Sequence, residues 1–483
     1  MRKKTVTLIL LALCFVLLFG ALLSACDTKE KTAIIILPGL MGSGLYDSES
    51  GEPVWDPFKE GLDFSAVVTH SGSFGVVEIA EYFNENTDYV TKILRDALHQ
   101  EDSSFLRKLA VDKDGNPLNP NIKPADESFS NPKLLRYGTL GTMKEMYTNL
   151  KNRYGSKAEV MVYSYDWRVD NRINAEKLEK FINDKGYKKV VFLTHSMGGN
   201  LASYYLARSE ANRDKCAALI SFGSPYYGSL TALTTLEDKD SYAYDLVGDF
   251  VDIDLVALLL QSIAGTSSVD QAKDMLFNVI EEDFLALMNI VTLYQLLPTY
   301  DLLNTYQYRY EYKSENYTKQ TSFIKINDKY MTFTRDELYE FYASRPWAKH
   351  EDGSMKKQVL ELKDYWDDMM VTLPDGSKVH STSLVNALYI SGSGYKTRTT
   401  VNYTADYKED GSIDYSTLKY DGNTYESTEL GDGTVLLYSA APNRYSSDSN
   451  VKIITLADHY DIAIPFMAFS AKITFDFLDK VIF

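Results

Sequence analysis

The sequence predicts an α/β fold in which helices wrap a mostly parallel β-sheet. Short, continuous apolar runs alternate with segments of helical periodicity that are about 10–15 residues long. Runs without polar alternation are typical of strands buried on both faces of a parallel sheet. The predicted strands are residues 33–37, 160–163, 190–193, 217–222, 386–390 and 451–456.

Composition excludes several classes of protein. The chain has 483 residues, 45% of them hydrophobic, which suits one large domain with insertions or two domains. The formal net charge of −17 argues against a nucleic-acid-binding protein and gives no general attraction to an anionic membrane. Three cysteines cannot form a disulfide framework, and we expect Cys216, in an apolar context, to be a buried thiol.

The segment 188–200 indicates a nucleophile elbow, a sharp turn between a strand and a helix that exposes a serine. An apolar run at 190–193 is followed by Thr-His-Ser-Met-Gly-Gly, which places Ser196 at the bend. Gly198 leaves room where the helix turns back past the strand. Thr194 stands where the G-x-S-x-G pattern has glycine, a small departure. The elbow favours the α/β-hydrolase variant of the predicted fold, although an ordinary turn is the alternative.

A serine hydroxyl is a weak nucleophile and needs a histidine base oriented by an acid, in the chain order Ser, acid, His. Only His459 follows the last predicted strand. We expect His195, next to the nucleophile, to point away from it and to serve packing. The remaining histidines precede the serine or fall in the central insertion: His70, His99, His350 and His380.

Asp432 is the best candidate for the acid. It lies between Gly431 and Gly433, and the glycines allow a tight loop whose amides can hydrogen-bond the carboxylate. Aspartates at two predicted hairpin turns are explained by turn chemistry alone, and two others adjoin the histidine in sequence. These less suitable aspartates are Asp410, Asp421, Asp458 and Asp461.

A glycine-rich loop follows the first predicted strand, at residues 38–44. In this kind of fold such a loop supplies one oxyanion donor, so we expect the backbone N–H groups of Met41 and Met197 to form the oxyanion hole. The loop has neither the Gly-Lys-Ser/Thr nor the G-x-G-x-x-G pattern that cradles phosphates. We expect no cofactor and no metal ion.

Residues 1–25 have the pattern of an export signal, with Arg2, Lys3 and Lys4 before a long apolar stretch. The stretch ends in Leu-Ser-Ala-Cys, which resembles a bacterial lipobox and predicts cleavage before Cys26 and lipidation of its thiol. An uncleaved membrane helix is the alternative, since the stretch is nearly long enough to span a bilayer. We therefore expect an extracytoplasmic protein anchored to a membrane by lipid.

The predicted sheet is divided by insertions. Residues 26–230 form the first part of the core, with an insertion at about 46–132, and residues 381–483 form the second part. Residues 231–380 are predicted to form a helical cap or lid, with helical patterns at 251–263 and 275–297. We expect most of these apolar stripes to pack the cap's own core, although some could line an acyl channel. A polar excursion at 396–429 is predicted to be a hairpin.

Together these motifs resemble the lecithin:cholesterol acyltransferase family, over residues 33–464. The resemblance rests on the serine elbow, His459 and four further segments: residues 38–43, Tyr-Asp-Trp-Arg at 165–168, residues 223–229 and Gly-Asp-Gly-Thr-Val at 431–435. It implies transfer or hydrolysis of a fatty acyl group from a glycerolipid through a serine ester. It also implies a mobile lid that includes Trp55. Thr194, the lipoprotein signal and the lack of a disulfide framework depart from the family pattern.

The sequence thus predicts a surface-tethered serine acyl hydrolase or acyltransferase that uses Ser196, Asp432 and His459 on a lipid substrate at a membrane. Two rivals stay open: an esterase for non-lipid esters, such as those on polysaccharides, and a lipoprotein that holds lipid without turnover. A protein that only holds lipid would not need Ser196, Asp432 and His459 together. Long-chain preference would separate the lipid enzyme from the general esterase.

Overall fold

A computed structural model describes residues 31–51, 53–55, 108–124, 143–238, 288–305, 322–442, 450–459, 461–463 and 468–481. All structural statements below concern these residues. The helical patterns predicted at 251–263 and over most of 275–297 lie outside them, as do His70, His99 and Cys26.

A six-stranded parallel sheet forms the centre of the molecule. Its strands are β1 (Thr32–Leu37), β5 (Glu159–Val162), β6 (Lys189–His195), β7 (Cys216–Phe222), β12 (Ala387–Ser393) and β17 (Val451–Thr455). They lie in the order β17-β12-β7-β6-β1-β5. The predicted strands and parallel fold are confirmed; the largest difference is at β12, which continues to Ser393. The strand order reverses at β1, so the crevice for a ligand lies at the carboxyl ends of β1 and β6.

Burial of the strands explains their composition. The four central strands β1, β6, β7 and β12 are almost wholly buried, as their continuous apolar runs predict. The edge strand β17 is mostly half-exposed. Cys216 begins β7 as a buried free thiol, as expected, and burial raises its pKa to about 12. A thiol with that pKa is not a nucleophile at neutral pH.

Helices cover the sheet and the adjoining insertions. The described helices are α1 (Met143–Tyr154), α2 (Asn171–Asp184), α3 (Met197–Arg208), α4 (Glu210–Lys215), α5 (Leu230–Glu237), α6 (Val291–Gln295), α7 (Tyr300–Thr305), α8 (Arg335–Ala343), α9 (Lys357–Leu360), α10 (Leu362–Asp367), α11 (Leu437–Ala440) and α12 (Ala468–Val481). Side-chain caps begin several of them; Asp170 caps α2 and Thr334 forms a capping box at α8. Among the described helices, none has the length and apolarity needed to cross a bilayer.

Small sheets and strand pairs build the insertions. One three-stranded sheet consists of β2 (Leu45–Asp47), β3 (Pro53–Trp55) and β4 (Ile122–Pro124). A four-stranded sheet consists of β8 (Ile324–Ile326), β9 (Lys329–Tyr330), β14 (Val401–Thr404) and β15 (Lys419–Asp421). Two further pairs are β10 (Met370–Thr372) with β11 (Lys378–His380), and β13 (Thr397–Arg398) with β16 (Ser427–Thr428).

The four-stranded sheet changes the predicted picture of the cap. Strands β14 and β15 pair antiparallel within the excursion predicted to be a hairpin, but β14 also pairs in parallel with β8 of the cap. The described part of the cap therefore contains strands as well as helices, and it shares a sheet with residues 401–421. Sequence periodicity missed this pairing because the strands are only two to four residues long.

A buried ion pair lies within the predicted cap and joins the end of α5 to the segment after α8. The side chains of Glu237, at the end of α5, and Arg345, after α8, are 2% and 3% exposed. Two guanidinium nitrogens of Arg345 donate to the Glu237 carboxylate at 2.7 and 2.8 Å. Trp347 and Tyr403 donate to the same carboxylate. The Glu237 carboxylate thus accepts hydrogen bonds from three side chains, which a buried charge requires to compensate for its lost solvation.

We predict that Glu237→Ala will lower the free energy of unfolding by about 3–5 kcal/mol, because it leaves the Arg345 guanidinium buried without a counter-charge. Urea denaturation measures the loss. As a matched control, Lys180→Ala breaks the exposed pair between Lys180 and Asp184 and should cost about 0.5 kcal/mol or less. Equal effects of the two substitutions would contradict the buried, fully paired state of Glu237.

Candidate active site

Ser196 occupies the bend between β6 and α3. Its backbone has φ 51° and ψ −128°, an unfavourable conformation for a residue with a side chain. The Ser196 N–H donates to the carbonyl of Phe222 at 3.0 Å, which fixes the turn against β7. A Cβ atom at Gly198 would lie 2.2 Å from the carbonyl oxygen of Leu37, so only glycine fits where α3 passes β1. The strand, strained serine and helix form the geometry of a nucleophile elbow.

Thr194 fits the elbow without disturbing it. The side chain is fully buried at the end of β6, and its hydroxyl lies 3.4 Å from that of Ser224. The buried Thr194 hydroxyl therefore lies beside another hydroxyl group. The departure from the glycine pattern is accommodated in the space between β6 and the loop that follows β7.

Ser196, His459 and Asp432 lie in one chain of hydrogen bonds. His459 Nε2 is 2.9 Å from the Ser196 hydroxyl, and Nδ1 is 2.9 Å from an Asp432 oxygen. A carboxylate only accepts hydrogen bonds, so Nδ1 carries the hydrogen and the Nε2 lone pair faces the serine. His459 and Asp432 are 7% and 2% exposed. The imidazole is thus held in the tautomer that can take the serine proton.

The loop after β16 presents the acid. The second oxygen of Asp432 accepts the backbone N–H groups of Thr434 and Val435 at 3.0 and 2.7 Å. Gly433 has φ 94°, which an L-residue rarely adopts, and its N–H donates to the Thr397 hydroxyl at 2.9 Å. The flanking glycine thus allows the tight loop, and the backbone amides stabilise the charged carboxylate.

Two serine hydroxyls tie the loop after β7 to the acid loop. Ser229 donates to the Thr434 carbonyl at 2.6 Å, and Ser439 donates to the Gly228 carbonyl at 2.6 Å. The Tyr227 N–H in turn donates to the Ser439 hydroxyl at 3.1 Å. The Gly-Ser motif at 228–229 therefore supports the acid loop.

Two glycines make room for the acid and the histidine, a role that the sequence did not reveal. A Cβ atom at Gly223 would lie 2.9 Å from an Asp432 oxygen and 3.3 Å from His459 Nδ1. A Cβ atom at Gly392 would lie 2.9 Å from the Asp432 Cβ and 2.2 Å from the Ala457 carbonyl. Gly223 follows β7 directly and Gly392 lies near the end of β12. A glycine at the end of a strand is therefore the feature of the sequence that could have indicated this close packing.

His195 has a more specific position than the packing role predicted for it. Its Nε2 lies 2.9 Å from the backbone carbonyl of His459, which can only accept, so His195 donates. Burial and the neighbouring His459 imidazole lower the pKa of His195 to about 3. The ring is therefore neutral at pH 7 and anchors the backbone of His459. It does not compete as a base.

The oxyanion candidates lie in two backbone segments on either side of Ser196. Met197 is the first residue of α3, where backbone N–H groups have no intrahelical acceptor. Met41 lies in the loop after β1, and a Cβ atom on Gly39, two residues before it, would be 2.8 Å from the Ser196 Cβ. Within the described part of the chain, neither the Met41 nor the Met197 N–H donates a hydrogen bond. Both are therefore available to a substrate oxygen.

Trp55, which the family resemblance assigns to a mobile lid, is buried in this structure. Its side chain is 5% exposed, and its indole N–H donates to the Met41 carbonyl at 2.7 Å. The ring packs edge-on against Trp167 at a centroid distance of 5.6 Å. The structure thus places Trp55 in the core behind the loop that carries Met41. Residues 56–107 lie outside the described part.

The Tyr-Asp-Trp-Arg motif supports the same loop. The Tyr165 hydroxyl donates to the Pro38 carbonyl at 2.6 Å, and the Trp167 indole donates to the Ser43 carbonyl at 3.2 Å. Arg168 forms a buried, two-point ion pair with Asp166. The motif therefore shapes the loop rather than meeting the serine, a role that its sequence did not indicate.

The other candidate acids and bases have hydrogen-bond partners outside the Ser196–His459–Asp432 chain. Asp410 and Asp421 each cap an exposed turn by accepting nearby backbone N–H groups. Asp458 accepts the N–H of Asp461. His380 is buried, its Nδ1 lies 2.8 Å from the Thr382 hydroxyl, and burial lowers its pKa to about 3. Among the described residues, no group of three or more His, Cys, Asp or Glu side chains could hold a metal ion.

The parallel sheet, the elbow and the residues at the strand ends define a member of the α/β-hydrolase class. The model of the lecithin:cholesterol acyltransferase family matches residues 119–464, more than two thirds of the chain. The chain therefore belongs to this family, as its motifs suggested. The family match begins after the glycine-rich loop at residues 38–44 and does not cover it. The assignment of an oxyanion donor to that loop therefore rests on the structure. The family places the chain broadly among acyl hydrolases and acyltransferases that act on lipids.

Other comparisons give only distant similarities. The solved structure described as the Tle4-Tli4 complex aligns over 94% of this chain and 99% of its own, at 11% identity and a TM-score of 0.43. That of VinJ aligns over 71% of this chain and 88% of its own, at 13% identity and a TM-score of 0.27. Neither similarity informs on activity at these scores. The comparison with curated proteins gives no match.

We predict that Gly223→Ala will slow the reaction of Ser196 with a fluorophosphonate, a reagent for activated serines, by at least tenfold. The new methyl group would displace Asp432 and His459. Gly186→Ala is the matched control: Gly186 also has positive φ, 71° against 57°, but a Cβ atom there would have no neighbour within 4 Å. Both variants bear a similar backbone penalty. Equal reaction rates in the two variants would contradict the steric role.

Proposed function

We propose that the protein is a serine-dependent acyl hydrolase or O-acyltransferase of glycerolipid esters, with phospholipids as the preferred donors. The observation that carries the proposal is the unbroken hydrogen-bond chain from the Ser196 hydroxyl through His459 to Asp432. Membership in the lecithin:cholesterol acyltransferase family supports the lipid substrate class.

In the first half of the reaction, Ser196 Oγ attacks the ester carbonyl carbon while His459 Nε2 takes the hydroxyl proton. Asp432 orients the imidazole and stabilises the imidazolium that forms. The negative charge on the carbonyl oxygen is met by the N–H groups of Met41 and Met197. Each such donor typically lowers the barrier by about 3 kcal/mol.

In the second half, His459 gives the proton to the departing alcohol oxygen as the ester C–O bond breaks, which leaves an acyl-serine. Water or an acceptor alcohol then loses a proton to His459 and attacks the acyl carbon. The breakdown of that second tetrahedral species returns the proton to Ser196 and releases a fatty acid or a new ester. Hydrolysis and acyl transfer share every protein group; they differ only in the acceptor.

A fluorophosphonate should label the wild-type protein and leave Ser196→Ala unlabelled, because removal of the hydroxyl removes the nucleophile. Ser209→Ala, a substitution at the cap of α4, should remain labelled and serves as the control.

Phosphatidylcholine vesicles incubated with the protein, with and without an added sterol, should yield fatty acid or sterol ester by mass spectrometry.

The products decide among the alternatives. Labelling that survives Ser196→Ala would reject the nucleophile. Labelling without any product from lipid, together with turnover of acetyl esters and no preference for long chains, would favour a general esterase. The absence of both labelling and turnover in the wild type would leave a lipid-binding lipoprotein.

We further propose that the mature protein begins at a lipid-modified Cys26 and is held on the extracytoplasmic face of a membrane. The lipobox-like ending Leu-Ser-Ala-Cys of the apolar stretch supports this. Acyl chains contribute about 0.8 kcal/mol per buried CH₂ group, and anchoring is stable when more than one chain inserts.

The Cys26→Ser substitution tests the anchor. With the lipid attached, wild-type protein should partition into the detergent phase after cloud-point separation with a nonionic detergent, and Cys26→Ser should not be processed to the lipidated form. Metabolic labelling with palmitate should be lost in the variant, and Cys216→Ser is the control that should keep the label. Equal palmitate labelling of wild type and Cys26→Ser would reject the site.

A further inference from the structure

His195 lies where the nucleophile, the base and the glycine-rich loop meet. It is the last residue of β6 and directly precedes Ser196. Its imidazole is buried, and its Nε2 donates to the His459 carbonyl at 2.9 Å. A Cβ atom on Gly39 would lie 3.4 Å from its Nδ1, so the other ring nitrogen lies beside the loop after β1. The ring is thus located between the two segments that flank the nucleophile.

The chain that carries His459 has left the regular structure of the sheet. β17 ends at Thr455, and residues 456–459 belong to no helix or strand. The chain turns at Leu456, whose φ of 60° is uncommon for a residue with a side chain. The Leu456 N–H donates to the Ser393 carbonyl at 2.7 Å. Strand pairing therefore ends before the base, and other contacts fix the position of His459.

An imidazole needs two fixed points to keep one direction. Asp432 lies 2.9 Å from Nδ1 of His459, and this bond alone would let the ring pivot and carry Nε2 away from the serine. The second point is the His459 carbonyl, on the main-chain side of the same Cα, which accepts from His195. With Nδ1 and the main chain both held, Nε2 keeps its distance of 2.9 Å from the Ser196 hydroxyl.

The two histidine rings also meet directly. The centroids of His195 and His459 are 5.0 Å apart, and the ring planes are inclined by 40°. This contact limits the space into which the base can tilt. Burial and the neighbouring His459 imidazole lower the pKa of His195 to about 3, so His195 adds no positive charge beside the base at pH 7. Formation of the His459 imidazolium therefore meets no like charge from this neighbour.

We propose that His195 is a positioning residue that holds the backbone of His459 through its Nε2–H and thereby keeps the base within reach of Ser196. The inference rests on the proposed function, because the position of His459 affects turnover only if His459 is the base. His195 does not touch the reacting atoms in this role; it acts through the main chain and ring of His459. Such support matters because a misplacement of about 1 Å can cost about 10² in rate.

Two amide substitutions separate the N–H from the rest of the side chain. The amide nitrogen of glutamine reaches as far from Cβ as Nε2 of histidine, whereas that of asparagine reaches only as far as Nδ1. His195→Gln therefore keeps a donor for the His459 carbonyl, and His195→Asn, one methylene shorter, does not. In steady-state hydrolysis of p-nitrophenyl butyrate, His195→Asn should lower kcat by about 10- to 100-fold and His195→Gln by no more than about fivefold.

KM should stay within about twofold of wild type in both amide variants. An unchanged KM with a reduced kcat separates a displaced base from a damaged substrate site. The rate at which a fluorophosphonate labels Ser196 should rank the variants in the same order, because this reaction also needs His459 to take the serine proton.

A pair of phenylalanine substitutions supplies the matched control. His195→Phe keeps an aromatic ring and removes the donor, so its kcat should fall as far as that of His195→Asn. His380 is also a buried histidine that is neutral at pH 7, and its hydrogen bond is with the Thr382 hydroxyl. His380→Phe should lower the thermal midpoint to a similar degree and kcat by no more than about threefold.

The assays are run below the lowest thermal midpoint of the series, so that every variant is folded. If one of His195→Asn and His195→Phe does not fold, the other is compared with His195→Gln, because both lack the donor that glutamine keeps. The comparison thus depends on the N–H and not on any single substitution.

The outcomes separate the two claims. Active wild-type protein with equal kcat in His195→Gln and His195→Asn, with equal losses in His195→Phe and His380→Phe, or with a loss confined to KM would overturn the positioning role alone. Wild-type protein without ester turnover or fluorophosphonate labelling would overturn the proposed function, and the inference with it.

Discussion

The approach of the His459 segment to the ends of β12 and β7 is the constraint on which the site depends. The strand of the histidine, β17, is three strands from β6, or about 14 Å at the usual spacing of 4.8 Å. The chain after β17 must therefore cross two strand ends to reach Ser196. Gly392 and Gly223 permit this crossing, because a Cβ atom at either position would enter the space of the crossing chain or of Asp432.

The opposite side of the serine depends on a different kind of contact. There the loop after β1 is shaped by hydrogen bonds from buried aromatic side chains to its carbonyl groups. Indole and phenol groups combine a large apolar surface with one directional donor, so they can be buried and still fix a peptide plane. The Arg168–Asp166 pair extends the same network to the Leu109 and Ile122 carbonyls. The Tyr-Asp-Trp-Arg motif is thus part of the scaffold of the oxyanion loop.

The cap is connected to this core by buried polar contacts as well as by packing. The Glu237–Arg345 pair and its two further donors join α5, the segment after α8 and the sheet containing β14. Directional contacts of this kind specify one arrangement of the cap, whereas apolar contacts alone tolerate sliding. The loop before α5 is also tied to the acid loop through Ser229. Cap position and acid position are therefore linked through residues 223–237.

Sequence alone predicted the parallel sheet and the serine at its elbow, because long apolar runs and the strand-turn-helix pattern are local properties. It offered Asp432 and His459 as candidates from the chain order Ser, acid, His. It also revealed the lipobox-like segment that ends at Cys26. Only the tertiary structure decided that the Trp55 indole is buried and donates to the Met41 carbonyl, that His195 donates to the backbone of His459, and that β14 pairs with a strand of the cap. These features depend on pairs of groups far apart in the chain, and a local pattern of residue types carries no information about which distant carbonyl or strand edge a side chain or a short strand will meet.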